Sequence, residues 1–271
     1  MEKRNQPLLR DSGLIRSVIV GLTMVLLGAG AASGAPPIPV TTCPQNLTVA
    51  GGSYILTGNL SCVGTALTIS ANDVKLSLNG FTLSGDGTGS GIEVGDFVAG
   101  ARIREGTVVG FGNGIRLSNA TSVRVSNMVV TRNGDGVQLH DSDNNRISDS
   151  LITGNTIGVR LENSDTNTVS TNTVSNNRAD PAIAFSAGVL VQNGSTNNVI
   201  ASNLIGSNGD IGATIQDSDG NFLQGNTVND TTDSNGNPRP GITVVSSSFT
   251  TVRGNHRHRE LIWDCTVPWS R

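Results

Sequence analysis

The chain has 271 residues, of which 36% are hydrophobic, 14% charged and 3% aromatic, with 34 glycines and a formal net charge of −3. An average soluble domain is about 25% charged, so Asn, Ser, Thr and Gly must cover this surface. A pI near 5.6 and the lack of a central Lys/Arg run exclude the basic footprint of a nucleic-acid binder, and regularly spaced Val, Ile and Leu exclude a disordered chain.

Residues 1–34 open with a basic, polar segment, MEKRNQPLLRDSGLIR, and continue into an apolar run that degenerates into small residues before Pro36. That order is expected of a secretory signal peptide. The uninterrupted apolar part, Val18 to Leu27, is shorter than the roughly 20 residues a membrane span needs. The mature chain is therefore expected to be exported, periplasmic or extracellular, with no membrane span after signal removal. Residues 35–65 follow as an N-terminal cap segment. Export permits disulfides, and Cys43 and Cys62, which bracket CPQNLTVAGGSYILTGNLSC, are expected to be bonded. Cys265 is left without a partner, and no CxxC or HxxxH spacing supports zinc.

Residues 66–255 carry an internal period. Gly114-Ile115-Arg116-Leu117, Gly136-Val137-Gln138-Leu139 and Gly158-Val159-Arg160-Leu161 recur 22 residues apart, as do Val125, Ile147 and Val169, then Asn133, Asn155 and Asn177. The pattern continues through Gly188-Val189-Leu190-Val191 and Gly241-Ile242-Thr243-Val244, with polar or proline-containing insertions at 178–186 and 232–240. Within each repeat the apolar residues alternate, which predicts short strands and not helices. Three such strands separated by Asn/Ser/Gly turns make one coil of a parallel β-helix, and residues sharing the period then stack about 4.8 Å apart. Side-chain amides can bond along such a stack, and glycine supplies positive φ where a bend requires it.

The pattern G-[IV]-x-[LV], an S/N-rich turn and then x-[IV]-x-x-N-x-[IV], together with LTISANDVKLSLNGFTLSG at 67–85, resembles the right-handed parallel β-helix repeat of the pectate-lyase-like superfamily, in its bacterial exported members. The resemblance implies an all-β solenoid of about eight or nine coils. It leaves function open, because the superfamily includes lyases, hydrolases, epimerases, adhesins, phage spikes and a periplasmic copper-maturation protein.

The 22-residue register places Arg116, Gln138 and Arg160 in one outward column and Ser118, His140 and Glu162 in its neighbour. An imidazole beside a carboxylate suits general acid/base chemistry, and arginines can grip a uronate carboxylate. The bland alternative is a solvated face of mixed charge. At the turns, Asp143 and Asp165 share a register and would lie about 5 Å apart, a separation that can recruit calcium, although D-S-D and N-S-D are also ordinary Asx-turn sequences. No other cofactor is expected. Arg102, Arg124 and Arg146 form a third column, neutralised either by turn carboxylates such as Asp143 or by an acidic glycan. Copper needs soft or imidazole ligands; beyond residue 34 the only methionine is Met128, and His140 is far in sequence from His256 and His258.

Residues 256–271, HRHRELIWDCTVPWSR, differ in composition from all that precedes and form either a C-terminal cap or an unrelated tail. The enzymatic signatures of the superfamily are missing: no paired Asp with Gly-His-Gly, no DPHD, no RxPxxR. The resulting expectation is an exported module that binds a polysaccharide or cell-surface glycan through Arg116, Gln138, His140, Arg160 and Glu162, or serves structurally in a surface assembly. The alternative is a polysaccharide lyase, hydrolase or epimerase using His140 and Glu162.

Overall fold

The computed structural model describes residues 35–178, 185–229, 231–232, 237–258 and 263–264, with 257–258 and 263–264 described by backbone alone. The signal peptide read at 1–34, Cys265 and most of the tail lie outside the described residues.

All described elements are β, and all their strand pairings are parallel, as strand recurrence at a fixed period requires. They form a parallel β-helix of about eight turns. One sheet has ten strands, beginning at Gln45–Leu47 and running through Asn113–Ser118, Asp135–His140, Ile157–Glu162 and Ala187–Gln192 to Trp263–Asp264. The other strands form a 17-stranded sheet with two columns. Arg102–Val109 and Arg124–Thr131 are long enough to take part in both columns, whereas later coils break at this point into two strands, such as Arg146–Ser148 and Leu151–Thr153. No described helix is long and apolar enough to cross a membrane.

The N-terminal segment 35–65 supplies the first strands of the solenoid. Ile38 pairs with Tyr54 and Gln45 with Leu67, and a Cys43–Cys62 disulfide ties this first coil across 19 residues. On the chain-entropy model, closing a loop of this size stabilises by about 3 kcal/mol.

Apolar residues fill the interior in stacks: Ile115, Val137, Val159 and Val189 in one, Ile103, Val125, Ile147 and Val169 in another, each essentially without solvent contact. Burying a Val or Ile side chain contributes roughly 1.5–3 kcal/mol, and the stacks repeat that gain in every coil. Between the strands, three buried Asn ladders turn the corners. Asn133 donates through Nδ2 to Oδ1 of Asn155, Asn155 to Asn177 and Asn177 to Asn208, each at 3.0 Å. The same Oδ1 atoms accept backbone N–H groups from the preceding coil, as Asn155 does from Asn133. Asn167, Asn198 and Asn221 form a second ladder, and Asn172, Asn203, Asn226 and Asn255 a third. Each rung satisfies polar groups that the bends would otherwise bury unpaired.

Glycine supplies positive φ at bends such as Gly51, Gly80 and Gly154, as expected, whereas the glycine of the repeating motif has another role. Gly114, Gly136 and Gly158 do not adopt positive φ. A Cβ on Gly136 would sit 2.5 Å from the Gly158 carbonyl oxygen, 2.8 Å from Ile152 and 2.9 Å from the Asn155 amide nitrogen. The motif needs glycine because the Asn ladder and the core press on that strand position. Positive φ falls mostly at the corners, on polar residues such as Asn119, Asp141, Asn163, Asn193 and Asp217, whose short side chains tolerate the left-handed region.

A candidate binding face on the ten-stranded sheet

The outward positions of the ten-stranded sheet fall into the columns expected. Arg116 is in register with Gln138 and Gln138 with Arg160; Ser118 is in register with His140 and His140 with Glu162. The first column extends N-terminally through Glu93 to Thr68. Alternation along each strand sends Val137 and Leu139 inward and leaves Gln138 and His140 partly open to solvent.

The charges on this face are largely matched within it. Arg160 binds Asp135 through Nε at 2.7 Å and Nη2 at 3.0 Å, a fork on a carboxylate one coil away. Glu93 accepts from the hydroxyls of Ser90 at 2.6 Å and Ser118 at 3.1 Å, and Arg116 Nε lies 3.7 Å from it, buried and without a hydrogen-bond partner. His140 has Nδ1 3.5 Å from Glu162 Oε2 and Nε2 3.3 Å from Asp141 Oδ2. Glu162 also accepts from Asn193 at 2.7 Å. His140 and Glu162 therefore meet, but both imidazole nitrogens face carboxylates, whereas a general base must aim one nitrogen at the proton it removes.

Beyond Arg160 the same column becomes apolar. Leu190 is buried with Ile157 and Ala187, and Phe185 packs on the three, making a small hydrophobic cluster outside the solenoid. The polar strip from Thr68 to Arg160 thus ends at an apolar wall. Its five rungs span about 19 Å at the inter-strand spacing.

The turn carboxylates are engaged in stacking coils. Asp143 Oδ1 accepts the backbone N–H of Asp165 at 2.7 Å, and Asp165 Oδ1 accepts that of Thr196 at 2.6 Å. Among the described residues no three His, Cys, Asp or Glu side chains cluster as a metal site.

On the 17-stranded sheet, Arg102, Arg124 and Arg146 are in register and exposed, and Lys75 continues the column at its N-terminal end. None of the four forms a contact ion pair with another described residue, Asp143 included; Arg146 acts on the Asp149 carboxyl at longer range. Adjacent unit charges at this spacing repel by about 0.9 kcal/mol in bulk water, less with salt.

Sequence reasoning missed Asp135, Glu93 and Lys75. Asp135 meets Arg160 diagonally, 25 residues away instead of 22; Glu93 and Lys75 precede their rungs by 23 and 27, because those coils are longer.

The family described as periplasmic copper-binding protein (NosD) matches residues 99–260. No curated protein matches the chain in sequence. Among solved structures, the enzymatically active domain of tailspike protein 2 of bacteriophage CBA120 is similar at a TM-score of 0.67 and 16% identity, over 78% of this chain and 36% of that one. This chain thus spans about a third of the tailspike chain. Pectate lyase Pel9A matches with a TM-score of 0.52 and 14% identity over 82% and 66% of the two chains. The periplasmic alginate epimerase AlgG gives 0.57 and 15% over 78% and 61%. At these identities the likeness is one of fold.

Proposed function

This chain belongs to the NosD family, and from that premise we propose that it is an exported β-helix, periplasmic or beyond, that binds a polysaccharide along the outward face of its ten-stranded sheet. The carrying observation is the partly exposed polar strip from Thr68 to Arg160, closed at one end by the apolar wall of Leu190 and Phe185. Because Arg160 is held by Asp135 and Glu93 stands beside Arg116, the strip offers hydrogen-bonding groups more than net charge, which suits a neutral, hydroxyl-rich polymer. Gln138, which carries no charge, sits between Arg116 and Arg160. No aromatic residue occupies the strip, so binding rests on hydrogen bonds and is expected in the range of about 0.1–1 mM, worth about 4–5.5 kcal/mol.

The family's description mentions copper, and the donor set among the described side chains does not fit it. The Met128 sulfur is buried in the core, Cys43 and Cys62 are consumed in a disulfide, His140 faces two carboxylates, and among the described residues no three His, Cys, Asp or Glu side chains cluster. The polysaccharide reading takes its support from the strip alone. The enzyme alternative would need His140 released from either Asp141 or Glu162.

Size-exclusion chromatography of the mature protein with a panel of plant, algal and bacterial polysaccharides, with calcium and with chelator, tests this function. Co-elution with intact polymer that weakens in Gln138→Ala is the expected result. A polymer peak shifting to smaller size would replace binding by catalysis, and no interaction with any polymer would overturn both.

A further inference from the structure

The four cations on the 17-stranded sheet are a second surface with the opposite electrostatic character. We propose that Lys75, Arg102, Arg124 and Arg146 form a binding site for an extended polycarboxylate, a chain of sugar acids, lying along the solenoid axis. This site is on a different sheet from the strip proposed above and does not depend on it.

Each of the four opens a strand of the same column, and the register Lys75–Arg102–Arg124–Arg146 is continuous. At about 4.8 Å per rung the column carries four like charges over about 14 Å. The backbone beneath is fixed: Arg124 follows Val123, whose N–H is held by Asn145, and Arg146 follows Asn145, whose N–H is held by Asn167. The column is therefore preorganised and cannot relax by spreading its rungs. None of its members forms a contact ion pair with a described carboxylate, and only Arg146 feels one at longer range, Asp149, whereas the neighbouring Arg104 binds Glu105 at 2.8 Å, showing that pairing is available on this sheet where the sequence provides it. Beyond Arg146 the column passes to Thr168 and the cationic run stops.

Charge complementarity selects a polyanion. Three of the four cations are arginines, whose planar forks match carboxylates in a bidentate way that a lysine ammonium does not. A chain of sugar acids carries one planar carboxylate per residue and can lie straight across successive strands. Single-stranded nucleic acid would call for aromatic stacking platforms among the cations, and none of the four rungs is aromatic.

The test is titration of the mature protein with polygalacturonate at low and physiological salt, with fully methyl-esterified polygalacturonate as the uncharged counterpart and dextran sulfate and single-stranded DNA as competing polyanions. Binding of the acid form only, weakened about tenfold by Arg124→Gln and about 100-fold by the Arg102→Gln/Arg124→Gln pair, is expected, since a lost charged hydrogen bond of about 1.4 kcal/mol is a factor of ten. The slope of log Kd against log salt should fall in the same variants. Arg253→Gln, on an exposed arginine bonded to Gln224 outside the column, serves as control and should bind as the parent does. The variants should melt no lower than the parent, because they remove repulsion. Unchanged binding in the double variant, equal binding of the methyl ester, stronger binding of dextran sulfate or DNA, or no binding at low salt would each overturn the proposal. Failure here leaves neutral-polymer binding and its Gln138→Ala dependence untouched, so the two sites are judged separately.

Discussion

Arg160 closes on Asp135 with two hydrogen bonds, of 2.7 and 3.0 Å, across adjacent coils of the ten-stranded sheet. The two side chains are 24% and 12% exposed. Replacing Arg160 by Gln strands the Asp135 carboxylate, and a loss of about 1–3 kcal/mol is expected, as for a poorly hydrated acceptor deprived of its partner. The double variant Arg160→Gln/Asp135→Asn should recover part of it. A urea titration checks this; if the double variant is less stable than the sum of the two singles, the pair is not the source of the effect.

Asn155 is fully buried and joins three coils: it donates to Asn177 Oδ1 and the Val130 carbonyl, and accepts from the Asn133 backbone and side chain. Asn155→Ala leaves several groups unpaired in the interior and is expected to cost about 3–5 kcal/mol. The thermal midpoint measures it, and a shift no larger than that of an exposed Asn→Ala change would refute the ladder's structural weight.

Gly136→Ala should be destabilising by about 2–3 kcal/mol through overpacking, since two of the three atoms its Cβ would meet are held by the ladder and by the next coil's backbone. The same change at Gly58, where nothing lies within 4 Å, should be close to neutral. Equal effects at the two positions would show that loss of glycine's flexibility, and not contact, governs the motif.

The Thr171 hydroxyl, 2.7 Å away, and then Ser148 hold the Asp149 carboxyl below the ordinary carboxylate range, against a small opposing effect of desolvation and with help from the Arg146 charge. A depressed folded value means that this group's contribution to stability is complete above the ordinary carboxylate pKa and is lost as pH falls through the folded value. Carboxyl NMR titration should therefore find Asp149 titrating late on acidification, and Thr171→Ala should raise its midpoint. An unmoved midpoint would assign the shift elsewhere.

The fold was legible because a strict 22-residue spacing between Gly114 and Gly158 carries both the apolar stacks and the Asn ladder, so sequence identity and spatial register coincide. His140 and Glu162 could be placed side by side for the same reason. The pairing of Arg160 with Asp135 was not legible, because a long side chain reaches diagonally and the period reports only residues directly in line. Lys75 was hidden by a coil lengthened around Phe97, which shifts the spacing without shifting the column. The role of the motif glycine was not legible for a related cause: spacing shows that a residue recurs, while the atoms pressing on it come from other positions of the repeat.

The Asn ladders have a further consequence for how such a chain can change length. Each rung is completed only by an amide at the same place in the next coil, so removing a whole 22-residue block between Asn133 and Asn177 would rejoin matching rungs and conserve every bend. A residue removed from within a strand would turn inward-facing positions outward, whereas a change of length at a loop leaves the ladder whole, as in the 31-residue step from Asn177 to Asn208. Growth along the axis is thus quantised in whole coils, each step moving the ends by one strand spacing, while residues added at a loop widen a single coil and leave the axial length as it was.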